Sequence, residues 1–381
     1  MTTSALRLDM VAGEASGDLL ASLLIGGLQQ RWPASRMGGI GGPKMQALGF
    51  EAWWPSEKLA VRGYVEVLRH YREIKGIRDA LALRLLRQRP AAFIGVDAPD
   101  FNLGLEARLR TQGIKTIHFV CPSIWAWRGR RATKMAASCD HVLCLFPFEP
   151  ALLHAHGVAA SYVGHPLADA IPLLPPRMPA RAKLGLNEQD AVLAILPGSR
   201  RSEIAYIAPA FLQAAQRLHR ARPALRLLLP VAPGLRDAVA ALLATHAPGV
   251  PITLLDGKSH TALAACDVTL IASGTATLEA ALFKRPMVIG YRMNPLSWQL
   301  MKRLRYQPWV GLPNILCREF VVPELIQESC TPELLAQAVL AQLDDAAGAG
   351  RLMSRFTDLH QQLRCNTAQR ATDAIALVLD A

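Results

Sequence analysis

The 381-residue sequence lacks paired cysteines, long apolar runs and a high density of charge, and each absence narrows the class of protein. Its seven cysteines are odd in number and include no Cys-x-x-Cys pair, which argues against a disulfide framework and a zinc site and favours buried free thiols. The longest apolar run, 19–28, is broken by Gly26 and Gly27 and is shorter than the ~18 residues of a membrane-spanning helix. No basic segment leads into an apolar one at the N-terminus, so we expect no signal peptide and a cytoplasmic protein.

Three familiar nucleotide-binding motifs are also missing. No Gly-x-Gly-x-x-Gly follows a strand-like run, which removes the usual support for a dinucleotide dehydrogenase, and the full Gly-x-x-x-x-Gly-Lys-Ser/Thr pattern of a P-loop does not occur. No Asp-x-Asp pair on a turn is present to carry a magnesium–diphosphate. The sequence therefore predicts no cofactor and no metal, and we expect arginine and a helix end to stabilise any diphosphate.

What is present is an alternation of short apolar runs and longer helical stretches, the pattern of a parallel sheet covered by helices. Strands are predicted in the first half at 7–11, 92–96, 115–120 and 141–145, and helices at 17–31 and 103–112. Strands are predicted in the second half at 191–196, 225–230, 252–255, 268–272 and 287–290, before a helical stretch at 332–379.

Four prolines within residues 171–179 interrupt this alternation, because proline suits neither a helix interior nor a central strand. We therefore predict an α/β fold with two doubly wound, Rossmann-like domains facing a cleft that holds the site. The predicted segments are a first domain at 1–170, a proline-rich linker at 171–180, a second domain at 181–340 and a C-terminal helical tail at 341–381.

Two strand–loop–helix turns of the second domain are suited to a nucleoside diphosphate. In LPGSRRSE, Gly198 allows a tight turn, Ser199 offers a hydroxyl, and Arg200 or Arg201 offers a forked donor for phosphate. In ASGTATLEAAL, Ser273 is the predicted N-cap, and Gly274 and Thr275 expose the first-turn amides of a helix that binds anions. Glu279 lies deeper in that helix and is suited to ribose hydroxyls, as in other nucleotide folds.

The corresponding turns of the first domain carry carboxylates, which repel phosphate and suit sugar hydroxyls and amides. The segment GEASGD places Glu14, Ser16 and Asp18 after the first strand. In GVDAPDFN, Asp97 ends a strand without an evident capping role and is a predicted general base, whereas Asp100 is the predicted N-cap of the next helix. CPSIWAWRGRR adds Trp125 and Trp127, which can face a sugar, a lipid or a phosphate. His165 is more readily explained as structural.

The net charge of +12 predicts an anionic partner. The segment 62–89 concentrates basic residues around an apolar stripe formed by Ile74, Ile77, Leu81 and Leu85. Such a helix suits either an anionic bilayer or a protein surface with its stripe in the core.

These segments, read in order, resemble one family. GEASGD, GVDAPDFN, PSIWAWR, GHPLAD, LPGSR, ASGTATLEAAL, MVIGYRMNP and LPNIL are similar, as an ordered set over nearly the whole chain, to lipid-A-disaccharide synthase. The resemblance implies a GT-B fold and an inverting, metal-independent glycosyltransferase. It also implies the substrates UDP-2,3-diacylglucosamine and 2,3-diacylglucosamine 1-phosphate (lipid X), which give a β-1,6-linked disaccharide and UDP at the cytoplasmic face of the inner membrane of Gram-negative bacteria.

With this resemblance the predicted residues take roles. Asp97 is the expected base, Glu14 the alternative, and Arg200 stabilises charge on the departing diphosphate. The UDP-sugar is expected to contact Gly198, Ser199, Arg200, Ser273, Gly274, Thr275, Glu279 and Asn314. The acceptor is expected to contact Glu14, Ser16, Asp18, Trp125 and Trp127. Expected partners are an anionic membrane surface and, as a possibility, a second copy of the chain.

Two alternatives remain open at this point. Another GT-B enzyme that binds a UDP-sugar, such as an N-acetylglucosaminyltransferase or an epimerase, shares the nucleotide loops but has no need of the tryptophan segment. A nucleic-acid-binding protein accounts for the positive charge, but the basic residues lack a known reading motif, so no nucleic acid is expected.

Overall fold

The computed structural model describes residues 6–59, 64–124, 130–294, 298–299, 302 and 307–381, without the side chains of residues 15, 57, 64–71 and 130. The chain divides into two compact units, of which the first combines Met1–Asp169 with Leu363–Ala381 and the second is Ala170–Gln362. The division falls at the start of the segment 171–180. Residues 341–381 are shared between the units, because the chain returns to the first unit at Leu363.

The first unit is built on a parallel sheet in which β1 and β4 are neighbours at the centre. Its strands, ordered β3-β2-β1-β4-β5-β6-β7, are β1 Leu8–Ala12, β2 Gly38–Gly41, β3 Glu51–Pro55, β4 Ala92–Val96, β5 Lys115–Phe119, β6 His141–Cys144 and β7 Ala160–Tyr162. Its helices are α1 Ala15–Arg31, α2 Pro43–Gln46, α3 Tyr64–Gln88, α4 Pro99–Arg110, α5 Arg130–Ser138, α6 Glu149–His154, α7 Pro166–Ala170 and the C-terminal helix Thr367–Asp380, with a 3₁₀ turn at Ser56–Lys58.

Successive residues of the central strands enter different cores, as expected for a sheet covered on both faces. On β1, Met10 belongs to a core shared with α1 and the C-terminal helix, whereas Val11 belongs to one shared with α3 and α4. The C-terminal helix packs tightly on α1, because a Cβ at Gly27 would lie 2.8 Å from the carbonyl oxygen of Ala368. Gly27 therefore permits this contact, and α1 runs through it without a break.

The second unit repeats the doubly wound plan, with β8 and β11 as central neighbours. Its strands, ordered β10-β9-β8-β11-β12-β13, are β8 Val192–Leu196, β9 Arg226–Val231, β10 Ile252–Asp256, β11 Val268–Ala272, β12 Met287–Tyr291 and β13 Glu324–Ile326. Its helices are α8 Arg177–Lys183, α9 Arg201–Ala221, α10 Arg236–His246, α11 Ser259–Ala265, α12 Thr275–Leu282, α13 Leu312–Cys317, α14 Pro332–Asp344 and α15 Ala346–Leu363, with a 3₁₀ turn at Gln327–Ser329. The prediction of two doubly wound α/β domains is confirmed.

The second part of the proline-rich segment is packed into the second unit. Arg181, on α8, is fully buried, and its Nη2 donates to both carboxylate oxygens of Asp267 at 3.0 Å. The same guanidinium donates to the carbonyl oxygens of Ala265, Asn187, Glu188 and Asp190. A buried charge needs such compensation, and here it fixes α8 to the start of β11.

The basic segment 62–89 forms most of α3. Residues 60–63, Arg62 among them, lie outside the described residues. Leu81 and Leu85 are fully buried, and Ile74 and Ile77 pack on the same core, so the described part of the apolar stripe faces the protein. Arg72, Lys75 and Arg87 remain exposed, whereas the Arg84 guanidinium lies 3.9 Å from the ring centroid of Trp53. None of the helices that the structure describes is both long and apolar enough to cross a membrane.

Candidate active site

In the first unit, the loops after β1 and β4 meet where the strand order reverses, the usual position of a ligand in an open α/β sheet. Ala12 and Val96 are paired in register, so residues 13–14 and 97–98 leave the sheet side by side. A Cβ at Gly13 would lie 3.6 Å from the Cβ of Ala98, which shows how closely the loops approach. Glu14 and Asp97 are therefore brought to one edge of the sheet.

Asp97 occupies an unusual backbone conformation. Its φ is +51° and that of Ala98 is +43°, in the left-handed region that non-glycine residues seldom adopt. The Asp97 amide donates to the Phe119 carbonyl at 2.9 Å, and its half-buried side chain has no hydrogen-bond partner among the described residues. A half-buried carboxylate with this freedom is suited to accept a proton from a bound hydroxyl.

The structure shows how the helices that follow these two loops begin. Helix α4 begins at Pro99 with Ala98 as its N-cap, so the predicted capping role of Asp100 is wrong. Asp100 instead lies exposed in the first turn, where its Oδ1 accepts from Nη2 of Arg131 at 2.6 Å. Glu14 is the N-cap residue of α1, with extended backbone, and makes no side-chain capping hydrogen bond there.

Asp18 is bound by the fold itself. It is buried, and its carboxylate accepts from the amides of Gly42 and Lys44 at 3.0 Å and of Met45 at 3.1 Å. A Cβ at Gly42 would lie 2.6 Å from this carboxylate, so glycine permits the approach. Asp18 therefore has a structural role at the start of α2, and its contact with the acceptor stays a prediction. Ser16, two residues earlier, is exposed.

His165 is buried, and its Nδ1 accepts from the amide of Leu167 at 3.2 Å. Burial lowers the pKa of His165 to about 4 from the ordinary 6.5, so the ring is neutral at pH 7. A neutral imidazole that accepts a backbone hydrogen bond is a structural group. Trp125 and Trp127, which were predicted to line the acceptor site, lie outside the described residues.

In the second unit, the loop after β8 is organised by a residue that the sequence analysis did not select. Gly198 has φ +128°, and a Cβ there would lie 2.7 Å from Cβ of Glu203. Glu203 accepts from the Ser199 amide at 3.0 Å and from Nη1 of Arg200 at 2.6 Å. Ser199 and Arg200 are exposed, and Arg200 is the N-cap residue of α9. Glu203 thus orients the arginine that is predicted to meet phosphate.

The loop after β11 leads directly into α12. Its N-cap is Gly274, with φ +152°, and not Ser273 as predicted. The Ser273 hydroxyl donates instead to the Val310 carbonyl at 3.1 Å. Thr275, the first helical residue, is exposed, and no side chain caps this helix in the described residues. The start of α12 is therefore accessible to an anion.

Glu279 lies within α12, one turn beyond that end. It is half-buried, and its Oε2 is 3.2 Å from Nε2 of His260 on α11. His260 in turn lies 5.3 Å from Phe283, measured between ring centroids. Like Glu203, His260 was not identified by the sequence analysis, because only the tertiary fold brings it close to Glu279.

Asn314 is fully buried, and its side chain is used within the unit. Its Nδ2 donates to the Val322 carbonyl at 2.9 Å and to Oε1 of Glu324 at 2.8 Å, and its Oδ1 accepts from the Val322 amide at 3.0 Å. Glu324 also accepts from the amides of Val310 and Gly311. Asn314 therefore helps to shape the loop that receives the Ser273 hydroxyl, and its direct contact with the donor stays a prediction.

One cluster combines side chains that can ligate metals. Single ligand atoms of Cys121, Cys144 and Glu149 lie within 4.8 Å of one another, and all three residues are buried. The hydrogen bond with Cys144 and burial raise the pKa of the Cys121 thiol, which favours the protonated form that does not ligate metals. None of the seven cysteines forms a disulfide; five are buried thiols, as predicted, whereas Cys317 and Cys365 are half-buried.

Solved structures share this architecture. A UDP-GlcNAc 2-epimerase from Neisseria meningitidis, determined with UDP-GlcNAc bound, gives a TM-score of 0.64 at 13% identity and covers 98% of this chain and 99% of its own. WaaG, described as a glycosyltransferase involved in lipopolysaccharide biosynthesis, gives 0.58 at 15% identity and covers 97% of this chain and 99% of its own. At these identities the likeness shows the fold alone. That fold, two parallel-sheet Rossmann-like domains, is the GT-B fold.

Sequence relatives specify the member of this class. A protein of Verminephrobacter eiseniae named lipid-A-disaccharide synthase is 60% identical over 379 residues, which cover 98% of this chain and 97% of the relative. The family model described as lipid-A-disaccharide synthetase matches residues 8–375. The chain belongs to the lipid-A-disaccharide synthetase family and is a glycosyltransferase, which confirms the resemblance predicted from the ordered segments.

Proposed function

We propose that the chain transfers 2,3-diacylglucosamine from UDP-2,3-diacylglucosamine to lipid X and releases UDP, joining the two sugars through a β-1,6 bond. The observation that carries this proposal is the position of Asp97, a half-buried carboxylate at the switch point of the first sheet, in a chain of this family. The nucleotide loops of the second unit supply the complementary chemistry for a departing diphosphate.

The first unit supplies the base. The 6-hydroxyl of the acceptor attacks the anomeric carbon on the face opposite UDP, and Asp97 accepts the hydroxyl proton as the new C–O bond forms. The bond to UDP breaks as charge builds up on the sugar, so the anomeric configuration inverts, as in inverting glycosidases with an alcohol in place of water. Glu14, at the adjacent loop, binds the acceptor and is the alternative base.

The second unit binds the donor. Negative charge grows on the diphosphate as UDP departs, and a preorganised arginine and a helix N-terminus stabilise such charge without a metal. We assign this role to Arg200, which bonds Glu203, and to the first turn of α12 at Thr275, which no described side chain caps. Glu279 accepts hydrogen bonds from the ribose hydroxyls, with His260 holding its carboxylate.

We also infer that the chain acts as a peripheral protein at the cytoplasmic face of the inner membrane. Its substrates are acylated and remain in that membrane. The exposed basic residues Arg72, Lys75 and Arg87 on α3 are suited to anionic headgroups, with the net charge of +12 adding long-range attraction.

Mass spectrometry of the products from UDP-2,3-diacylglucosamine and lipid X tests the reaction. The expected result is a tetra-acylated disaccharide 1-phosphate and one UDP per turnover, formed equally in EDTA and in magnesium. Hydrolysis of the donor without disaccharide, or an epimerised UDP-sugar, would refute the transfer reaction. Activity that is lost in EDTA and restored by magnesium would refute the metal-independent part.

A further inference from the structure

The turn at Asp97 packs against a buried cluster of polar side chains, which the proposed mechanism does not use. Two consecutive non-glycine residues, Asp97 and Ala98, have positive φ. Such a conformation is unfavourable and persists only where the surrounding structure determines it, which is common at active sites. The question is which side chains determine it here.

The first of them is Asn102, on the first turn of α4. It is fully buried, and its Nδ2 donates to the Asp97 carbonyl at 2.8 Å and lies 3.5 Å from the Val96 carbonyl. Together with the bond from the Asp97 amide to the Phe119 carbonyl, this contact fixes both polar groups of the Asp97 backbone. The direction of the Asp97 carboxylate follows from that backbone.

The second part of the cluster is a hydrogen-bonded pair of side chains, one of them a turn further along α4. Glu106 and His118 are both fully buried, and Oε1 of Glu106 lies 2.7 Å from Nδ1 of His118 on β5. Gly95 is paired in register with His118, and a Cβ at Gly95 would lie 2.0 Å from Oε1 of Glu106 and 2.9 Å from Cβ of Asn102. Glycine at 95 therefore lets both side chains pack against the strand two residues before Asp97.

This polar cluster stabilises the core less than apolar side chains would. Oε2 of Glu106, Nε2 of His118 and Oδ1 of Asn102 are buried and have no hydrogen-bond partner among the described residues. Buried polar atoms without partners lower stability, and apolar side chains of similar volume fill such a space at less cost. Polar groups that weaken the core and contact a strained turn are typical of a functional site.

We propose that Asn102, Glu106 and His118 are positioning residues that hold the Asp97 carboxylate in its reactive direction. Asn102 bonds the Asp97 backbone, and the Glu106–His118 pair holds the Asn102 side chain against Gly95. This inference rests on the proposed function of Asp97 as the base. All three residues are fully buried, so we expect none of them to contact the substrate.

The test compares Glu106→Ala and Asn102→Ala with wild type in steady-state kinetics. Both variants are expected to lower kcat by about 10- to 10²-fold, the effect of a displaced catalytic group, with KM for both substrates within about twofold. Glu106→Gln keeps the side-chain length and an acceptor for His118, so it should lose less than Glu106→Ala. If Glu106→Ala does not fold, Asn102→Ala carries the same test.

Thr116→Val is the matched control for loss of stability. Thr116 is fully buried on the same strand as His118, and its hydroxyl bonds the Ser138 carbonyl and Asp140, away from Asp97. It should lower the melting temperature and leave kcat unchanged. Wild-type kcat in Glu106→Ala and Asn102→Ala, or a fall in kcat that Thr116→Val reproduces, would overturn the proposal.

A double-variant comparison separates this inference from the proposed function. In an Asp97→Asn background, Glu106→Ala should lower the residual turnover no further, because both act through one carboxylate. A full additional loss in that background would overturn the positioning role while leaving Asp97 as the base. Normal turnover in Asp97→Asn alone would instead refute the proposed base.

Discussion

In the proposed mechanism, the departure of UDP without a metal depends on Arg200. Its guanidinium is held by Glu203 but remains exposed at the start of α9. Because the charge it meets grows in the transition state, Arg200→Ala should lower kcat by about 10²-fold and change the acceptor KM little. Steady-state kinetics with each substrate varied in turn measures both.

Arg201→Ala is the control for Arg200→Ala. Arg201 is the next residue, equally exposed, and lies within the helix. It should change kcat by no more than about twofold, as for a surface substitution. A change confined to the acceptor KM in Arg200→Ala would place Arg200 on the other substrate.

The buried ring of His165 makes stability depend on pH. Its pKa is about 4 in the folded chain against an ordinary 6.5, so the unfolded chain binds more protons between these values. Stability from the neutral ring is therefore complete above pH 6.5 and is lost as the pH falls towards 4. The loss between pH 7 and pH 5 should be about 2 kcal/mol.

His165→Asn offers the matched comparison, because its amide oxygen can accept from Leu167 and does not titrate. Burial raises the pKa of Asp9 to about 6, so Asp9 titrates in the same pH range and changes stability with pH in the opposite direction. Because Asp9 is present in both proteins, its contribution cancels in their difference. Urea unfolding at pH 7, 6 and 5 should show wild type losing stability relative to His165→Asn as pH falls. A difference that is constant with pH would rule out the neutral buried ring.

At the scale of elements, Asp18 joins α1 to the start of α2. Asp18→Ala leaves three amides without their carboxylate, so the free energy of unfolding should fall by about 1–3 kcal/mol. Ser16→Ala, exposed on the same helix, should change it by less than about 0.5 kcal/mol. Denaturant unfolding measures both, and equal stability in the two variants would contradict the capping role.

The sequence predicted the central strands of both sheets closely because buried parallel strands are continuous apolar runs. β4 and β11 have the predicted bounds, and the other predicted strands differ by one residue at one end or, for β1 and β9, at both ends. The strands that were not predicted lack this pattern: β2 is the glycine-rich GGIG, β3 is exposed at its start, and β7 and β13 are three-residue edge strands. These four strands contain no continuous apolar run from which a strand could be predicted.

The sequence predicted which loops form the candidate site, but it predicted the contacts of individual side chains less well. Strand–loop–helix order places Glu14, Asp97 and Arg200 at carboxyl ends of strands, which sequence alone can predict. Whether a carboxylate or an amide is already occupied depends on tertiary partners, as at Asn314. Glu203 had a signal, since an acid four residues after Ser199 can reach back to a helix N-terminus.

At the scale of the whole molecule, the basic surface predicts salt-dependent membrane binding. Each exposed Lys or Arg near an anionic bilayer contributes about 1 kcal/mol, which salt screens. Replacing Arg72, Lys75 and Arg87 together by Glu should therefore weaken sedimentation with anionic vesicles by at least about 10²-fold, and molar salt should release wild type.

The same change of charge made elsewhere tests whether the location matters. Arg220, Lys258 and Arg351 are exposed on the second unit. Their combined replacement by Glu should weaken vesicle binding much less than the α3 variant. Equal binding of wild type to neutral and anionic vesicles would contradict the electrostatic account.

The central claim for the whole enzyme is that Asp97 takes the proton from the acceptor. Asp97→Asn keeps the size and hydrogen bonding of the side chain but cannot accept a proton, whereas Glu14→Gln is the matched change at the neighbouring loop. General-base catalysis contributes about 10²–10⁴-fold to the rate. Both variants should fold and bind UDP as wild type does.

The measurement that decides the claim is kcat for these two variants, with acceptor KM measured alongside. Asp97→Asn should lose turnover by about 10²–10⁴-fold with little change in KM, and Glu14→Gln should mainly raise the acceptor KM. Near-normal kcat in Asp97→Asn, with the collapse found in Glu14→Gln, would contradict the account and transfer the base to Glu14.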